Sequence, residues 1–338
     1  MAMCAGDDWV VDMEKGCEFV VAEHLSKVFP ERLGGIGWRR LLGRSCPTFC
    51  AVHDLSFCVA PGERVGFVGP NGAGKSTTIK LLAGILRPST GRVRLFGVDP
   101  LAQRAETISR TAVIFGQNSQ LWPHLTLADN FQLMTALYSI SRADVLIPAI
   151  VEQFYLQGLM DRMVGRLSFG ERMRSEIAMS LFHGPQLCFF DEPTIGLDIL
   201  AKDRIRALLR RSFSDSGATL LLTSHDMFDI EHICDRVIVI DKGQLLIDDS
   251  LVRLKERHGR MRRISFRSDA EQILLENPHV RIVFHVPPRV QLEVDTGHTT
   301  VEQVLIEFLG KYSVADIAIE NPSLESIIAG IYRHGMVH

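Results

Sequence analysis

Arg64-Val65-Gly66-Phe67-Val68-Gly69-Pro70-Asn71-Gly72-Ala73-Gly74-Lys75-Ser76-Thr77 is the stretch that decides the fold. It begins as a short apolar strand, Arg64–Val68, passes through a glycine-rich loop and enters an apolar helical run, Thr77–Ala83. The loop has the form G-x-x-x-x-G-K-[ST], in the strand-loop-helix context that the motif requires. Glycines let successive backbone N–H groups turn inward as an anion nest, and the helix N-terminus adds a favourable dipole. Lys75 brings a point charge for β- and γ-phosphates, and Ser76 brings a hydroxyl for Mg2+. Residues Gly69, Pro70, Asn71, Gly72, Ala73, Gly74, Lys75, Ser76 and Thr77 therefore read as a cradle for a nucleoside triphosphate.

Working outward, Leu187-Cys188-Phe189-Phe190-Asp191-Glu192-Pro193 is an apolar strand that ends in two acids. Buried carboxylates are unfavourable unless a cation or proton offsets them, and nucleotide-bound Mg2+ supplies that charge. Asp191 is expected to hold the ion through its water shell, and Glu192 to polarise the attacking water. Leu187–Phe190, Thr219–Thr223 and Val237–Asp241 look like strands buried on both faces, in a region that alternates strand-like and helix-like runs. Lys242-Gly243 reads as a hairpin turn into Gln244–Ile247. Three more segments add spacing. Ser168 lies 23 positions before Asp191, His225 lies 34 positions after it, and Gln117 follows the apolar run Ala112–Phe115. Alone, Gln117 is a loop glutamine and His225 a helix-cap residue.

Together these segments resemble the ATP-binding subunit of an ATP-binding cassette (ABC) transporter over about residues 18–250. The resemblance implies an α/β P-loop cassette with a RecA-like core, an antiparallel β subdomain and an α-helical signature subdomain. It implies ATP and Mg2+ as ligands, with hydrolysis at two composite sites in a head-to-tail dimer. Leu167-Ser168-Phe169-Gly170-Glu171 is then the signature motif, presenting Ser168 and Gly170 to the γ-phosphate held by the partner. Phe169 and Glu171 depart from the family's Leu-Ser-Gly-Gly-Gln. Phe169 bears on close backbone approach, and Glu171 adds a negative charge near the partner's nucleotide that either weakens binding or is offset by Arg172 or Arg174. By the same resemblance, Gln117 contacts Mg2+ and the lytic water and links to the transmembrane subunit. Asp198 lies in the loop between the two active sites, and His225 hydrogen-bonds the γ-phosphate. Phe29, in Ser26-Lys27-Val28-Phe29, is the adenine-stacking aromatic, where the family more often has Tyr.

Finer similarity, in Gly116-Gln117, Gln120-Leu121-Trp122, Leu167–Arg174 and Glu192–Asp198, is to cassettes of the drug and viologen export branch. The expected function is the motor of a membrane exporter. An importer motor is the alternative on the core motifs. A non-transport cassette acting on DNA or the ribosome is disfavoured. Gln117 to Ser168 spans only 51 positions without sustained heptads, and the chain has one cassette. The expected partners are a second cassette, as homodimer or sister ATPase, and a separately encoded transmembrane permease. The chain is expected at the cytoplasmic face of the membrane, peripherally bound. Leu121, Trp122, Leu125 and Leu127 are candidates to receive a coupling helix, or else an ordinary subdomain core.

Composition agrees with this class. The 338 residues carry 37 basic and 40 acidic side chains, a net charge of -3 that argues against bulk nucleic-acid affinity. Hydrophobic residues at 46% and charged residues at 23% exclude disordered, collagen-like and coiled-coil classes. The seven cysteines are odd in number and unframed, which suits a reducing compartment. Cys46, Cys50 and Cys58 lack the second ligand pair of a zinc module. No long apolar window free of charge marks a membrane span.

The expected organisation is a leader over 1–17, a cassette over 18–255 and an accessory α+β domain over 256–338. Within the cassette, an insertion is placed at about 30–50 and a helical subdomain at about 118–182. The insertion contains Trp38, Arg39, Arg40 and Arg44, a short basic segment that reads as solvated or as brushing anionic lipid. Arg253 to Arg263 reads as a basic solvated helix at the boundary. Beyond it, the order strand, helix, strand, strand, helix, strand suits a ferredoxin-like unit. A last helix follows, with Asn321 as N-cap and Pro322 at its first position.

Overall fold

The computed structural model describes residues 19–30, 48–116, 119–258, 261–275, 277–321 and 323–334. The chain divides into two compact units, Met1–Asp248 and Asp249–His338. The expected leader and residues 31–47 of the expected insertion lie outside the described residues.

In the first unit the doubly apolar runs assemble into one six-stranded sheet. Its order is β5 (Thr111–Phe115), β6 (Leu187–Asp191), β7 (Thr219–Thr223), β3 (Arg64–Val68), β8 (Arg236–Asp241) and β9 (Gln244–Ser250). The strands β5, β6, β7, β3 and β8 run parallel. Every residue of β6 and β7 is buried, as expected of parallel strands covered on both faces. The turn into β9 is Lys242-Gly243, whose φ angles of 47° and 80° match a tight hairpin.

A second, antiparallel sheet has the order β2 (Thr48–Val59), β1 (Val20–Pro30), β4 (Thr90–Leu95). It shares a core with β3 and with helix α1 (Lys75–Leu82), through Val20, Leu55, Phe57, Phe67 and Ile79. The strand expected near Glu18–His24 runs on to Pro30, and β2 begins at Thr48, inside the stretch expected as a loop. Helix α2 (Arg104–Arg110) precedes β5. Helices α3 (Leu127–Leu137), α4 (Ala143–Gln153) and α5 (Phe169–Leu181) separate β5 from β6 and bury Phe131, Val151 and Ile177. Helices α6 (Ile199–Ser216) and α7 (Met227–Ile233) complete the unit.

Parallel strands end on one side of a sheet, and ligands bind at that side in open α/β folds. Here the register sets Thr223 of β7 between Phe67 and Asp191, so the phosphate loop and the carboxylate pair open from the ends of the two strands that flank β7.

In the second unit, helix α8 (Leu251–His258) leads into an antiparallel sheet. Its order is β11 (Val280–Val286), β12 (Arg289–Asp295), β10 (Met261–Arg267), β13 (Ala315–Glu320). Arg262 and Arg263, expected in the basic helix, stand in β10 instead. Helix α9 (Val301–Lys311) packs Val304 and Phe308 onto Ile264, Phe266 and Leu292.

The helix expected between β10 and β11 is absent among the described residues. In a helix the Leu274 N–H would bond the Ala270 carbonyl. Here the Leu274 N–H donates to the Tyr312 hydroxyl at 2.9 Å, and the Ala270 oxygen lies 3.0 Å from the His285 ring nitrogen. The Tyr312 side chain, which follows α9, and the His285 side chain of β11 hold the two groups instead. The last helix, α10 (Leu324–His334), also starts later than expected. Ser323 accepts from the Ser326 N–H at 3.2 Å, while the Asn321 side chain accepts from Arg262. Pro322 lies outside the described residues.

Candidate active site

The phosphate loop turns into α1 at Gly74, whose φ of 103° is closed to most side chains. A Cβ there would also stand 2.4 Å from the Ala51 carbonyl oxygen. Lys75 is 8% exposed, and its Nζ donates to the carbonyls of Gly69 at 2.7 Å and Pro70 at 3.2 Å. Burial pushes its pKa below the ordinary lysine value, opposed by the Glu192 and Asp191 carboxylates. Ser76 donates its hydroxyl to Asp191 Oδ1 at 3.0 Å, and Thr223 donates to the same oxygen at 2.5 Å. A buried carboxylate beside a serine hydroxyl is an all-oxygen donor set, which fits Mg2+.

Glu192 has φ of 55°, a left-handed conformation that a non-glycine residue adopts under strain. Its N–H is held by the Thr223 carbonyl and hydroxyl, each at 3.1 Å. Its carboxylate Oε2 lies 2.6 Å from His225 Nδ1. Gly116 donates its N–H to the Asp191 carbonyl at 2.8 Å, and a Cβ there would meet the Glu192 carbonyl oxygen at 2.1 Å. Gln117 lies outside the described residues.

A cavity of about 410 Å3 brings together Asn71, Lys75, Ser76, Glu192, His225 and Phe49. Phe49 is 52% exposed and stands opposite Phe29 in the β1–β2 register. Phe29 is not among the residues lining that cavity, and Lys27 Nζ sits 5.1 Å from its ring centre. Phe49 falls in the stretch that Gly34, Gly35, Gly37, Gly43 and Pro47 mark as a loop, which hides it from the sequence pattern. The signal available was the run Thr48-Phe49-Cys50-Ala51-Val52, rich in strand-forming residues.

Ser168 is the N-cap of α5. Its Oγ accepts from the Glu171 N–H at 3.3 Å, and Glu171 Oε2 accepts from the Ser168 N–H at 2.8 Å. This reciprocal capping box turns the Glu171 carboxylate back on its own helix. The Ser168 N–H, with help from Arg162 at 2.9 Å, holds its pKa below the ordinary glutamate value. The cation in direct contact, at 2.9 Å, is Arg162, and the expected Arg174 adds a longer-range coulombic attraction to Glu171. Arg172 lies over the Phe169 ring at 5.3 Å, and Arg174 reaches the Tyr155 carbonyl at 3.5 Å. Asp198 is the N-cap of α6, accepting from the Ala201 N–H at 2.8 Å. Ser168, Gly170 and Asp198 border a separate cavity of about 450 Å3, with Arg174 and Arg204 in its wall. It shares no lining residue with the phosphate-loop cavity.

Behind the site lies a charged network that the sequence did not announce. Asp229, 1% exposed, accepts from Thr194 at 2.5 Å, Ser224 at 2.7 Å and Arg206 at 2.6 Å. Arg206 also reaches Asp226 at 2.9 Å, which Lys202 pairs at 2.8 Å. The network fixes the segment after Glu192 to α6 and α7.

Elsewhere in the unit a cavity of about 220 Å3 runs between Ile108, Leu121, Trp122, Tyr138 and His183. Leu121 and Leu127 are buried, whereas Trp122 is 60% exposed. The apolar cluster thus divides between core and surface. Among the described residues no helix is long and apolar enough to cross a membrane.

Three kinds of comparison place the chain among known proteins. The family described as "ABC transporter" matches residues 52–195. The ABC transporter ATP-binding protein NatA of Bacillus subtilis is 36% identical over 208 residues, 61% of this chain and 84% of that protein. The Nod factor export ATP-binding protein I of Rhizobium sp. (strain N33) is 33% identical over 288 residues, 82% of this chain and 90% of that one. A solved "ATP binding subunit of ABC transporter" superimposes with a TM-score of 0.59 at 26% identity, covering 71% of this chain and 93% of the other.

Proposed function

This chain belongs to the ABC transporter family as an ATP-binding subunit, and on that premise we propose that it is the ATP-hydrolysing motor of a membrane exporter. The observation that carries the reading is the convergence of Lys75, Ser76, Glu192 and His225 on one cavity. The loop N–H groups and Lys75 bind the triphosphate, and Phe49 stacks on the adenine. Ser76 and Asp191 would hold Mg2+, which when bound neutralises charge on the transferring phosphate. Glu192 orients and polarises the attacking water, with His225 fixing its carboxylate and facing the γ-phosphate. Gln117 would complete that shell and carry its state toward the permease.

The signature lines a different cavity from the phosphate loop. A head-to-tail dimer brings Ser168 and Gly170 of one chain to the nucleotide of the other, with Asp198 between the two sites. ATP then joins the halves, and hydrolysis releases them. A separately encoded permease supplies the membrane path, and the groove beside Trp122 receives it at the cytoplasmic face. Export, rather than import, rests on the family resemblance and on the export relative.

The test is ATP turnover and sedimentation of the purified chain beside Glu192→Gln. Removing the water-polarising base should lower turnover by about 10²–10⁴-fold and leave an ATP-bound dimer that persists. Near-normal turnover in the variant would sink the assignment. Transport, as against a soluble role, is tested by copurification with a permease of apolar spans of about 20 residues each, and its direction by ATP-driven substrate uptake into inside-out vesicles that carry both chains, which an importer would not give.

A further inference from the structure

In the accessory unit, a group of side chains unconnected with nucleotide gathers at one end of the sheet. His279 precedes β11, Asp295 ends β12, and His298 lies in the turn that leads to α9. One ring nitrogen of each histidine and one Asp295 oxygen lie within 4.8 Å of one another.

The backbone sets this grouping. The Asp295 N–H donates to the His279 carbonyl at 2.9 Å, which continues the β11–β12 ladder by one rung. The His298 N–H donates to the Asp295 carbonyl at 3.2 Å and closes the turn. Within it, Asp295 Oδ1 accepts from the Gly297 N–H at 2.9 Å, which leaves Oδ2 facing His298 Nδ1 at 3.0 Å. Outer contacts hold the frame. Asn277 accepts from the His279 N–H at 3.0 Å and donates to Thr299 at 3.2 Å. The two imidazoles lie face to face, 4.5 Å apart and 8° from parallel.

We infer that His279, Asp295 and His298 form a binding site for a first-row transition-metal dication, with Zn2+ as the representative ion. Two imidazoles and one carboxylate are borderline donors, which suit Zn2+, Co2+, Ni2+ or Cu2+ and not the all-oxygen preference of Mg2+. Three protein ligands leave a remaining position for water. Metal–ligand distances of about 2.0–2.2 Å require the donor atoms to close by roughly 1 Å. The parallel rings must also turn so that both lone pairs meet. That freedom is present, because the His298 side chain is 60% exposed. The ion ties the start of β11 to the turn before α9.

The experiment uses the full-length chain, stripped by chelator and titrated with Co2+ and Zn2+. Optical spectra separate this site from any cysteine site, since only thiolate ligands add a charge-transfer band. The expected result is one Co2+ bound through nitrogen and oxygen, with affinity falling at least about tenfold in His279→Ala and in His298→Gln, since losing a ligand costs no less than the roughly 10–100-fold typical of losing an outer-shell partner. His298→Cys should retain binding and acquire the thiolate band. Circular dichroism of each variant checks that it folds. The inference is overturned if folded His279→Ala and His298→Gln bind Co2+ as tightly as the wild type. It is equally overturned if His298→Cys binds the ion without that band.

Discussion

Two residues beyond the phosphate loop and the carboxylate pair stand where substitution should disturb this site. Gly116 is one, because its Cα faces the Glu192 carbonyl where a Cβ would stand at 2.1 Å. Gly116→Ala should push Glu192 out of its left-handed conformation and misplace the water it holds. The expected effect is a fall in kcat of about 10²-fold with little change in ATP affinity, since misplacement near 1 Å can weaken catalysis that much. Steady-state kinetics with a nucleotide-binding titration separates the two. Phe49 is the other. Phe49→Ala should weaken ATP binding by about 1–3 kcal/mol, the usual contribution of stacking one base, whereas Phe29→Ala should change it little. A fluorescent ATP analogue measures both. A loss in Phe29→Ala with none in Phe49→Ala would return the stacking role to Phe29.

At the scale of the element, the N-terminus of α5 is closed by its own glutamate. The Glu171 pKa is lowered by the Ser168 N–H first and by Arg162 after it. A carboxyl depressed by folding stabilises above its unfolded pKa, about 4.3, and that contribution is lost as pH falls through the folded value. Amide exchange at Phe169–Arg172 should therefore quicken, relative to the rest of α5, as pH drops below about 4.3. In Glu171→Gln this pH dependence should vanish, because glutamine keeps the capping bond without a titrating group. The same box accounts for the acid at this position: its charge is taken up by the helix end.

Across the whole first unit, tertiary contacts decide more than any element. Asp229 joins α6, α7 and the loop after β6 through Arg206, Ser224 and Thr194. Asp229→Ala should lower stability by about 1–3 kcal/mol, the scale for leaving the buried Thr194 and Ser224 hydroxyls without an acceptor while Arg206 keeps Asp226, as read from urea denaturation. Asp229→Asn should cost less, since its single amide oxygen can still accept from Arg206 while its NH2 turns to donate to the Thr194 and Ser224 hydroxyls. The parallel sheet, the phosphate loop and the acids at the end of β6 were legible in the chain because each is written locally. A doubly buried strand needs a continuous apolar run, and a phosphate cradle needs glycines, Lys and Ser in one contiguous stretch. The sequence by itself thus determined the fold class and the chemistry of the phosphate site. Tertiary structure alone decided which phenylalanine faces the cavity, which arginine pairs Glu171, and that 268–275 is not a helix. The reason is physical. Each outcome is a competition for one backbone or side-chain group among partners far apart in sequence, as when Tyr312 and His285 take the Leu274 N–H and the Ala270 carbonyl. Local pattern records the competitors, and only the folded chain brings the winner within bonding distance.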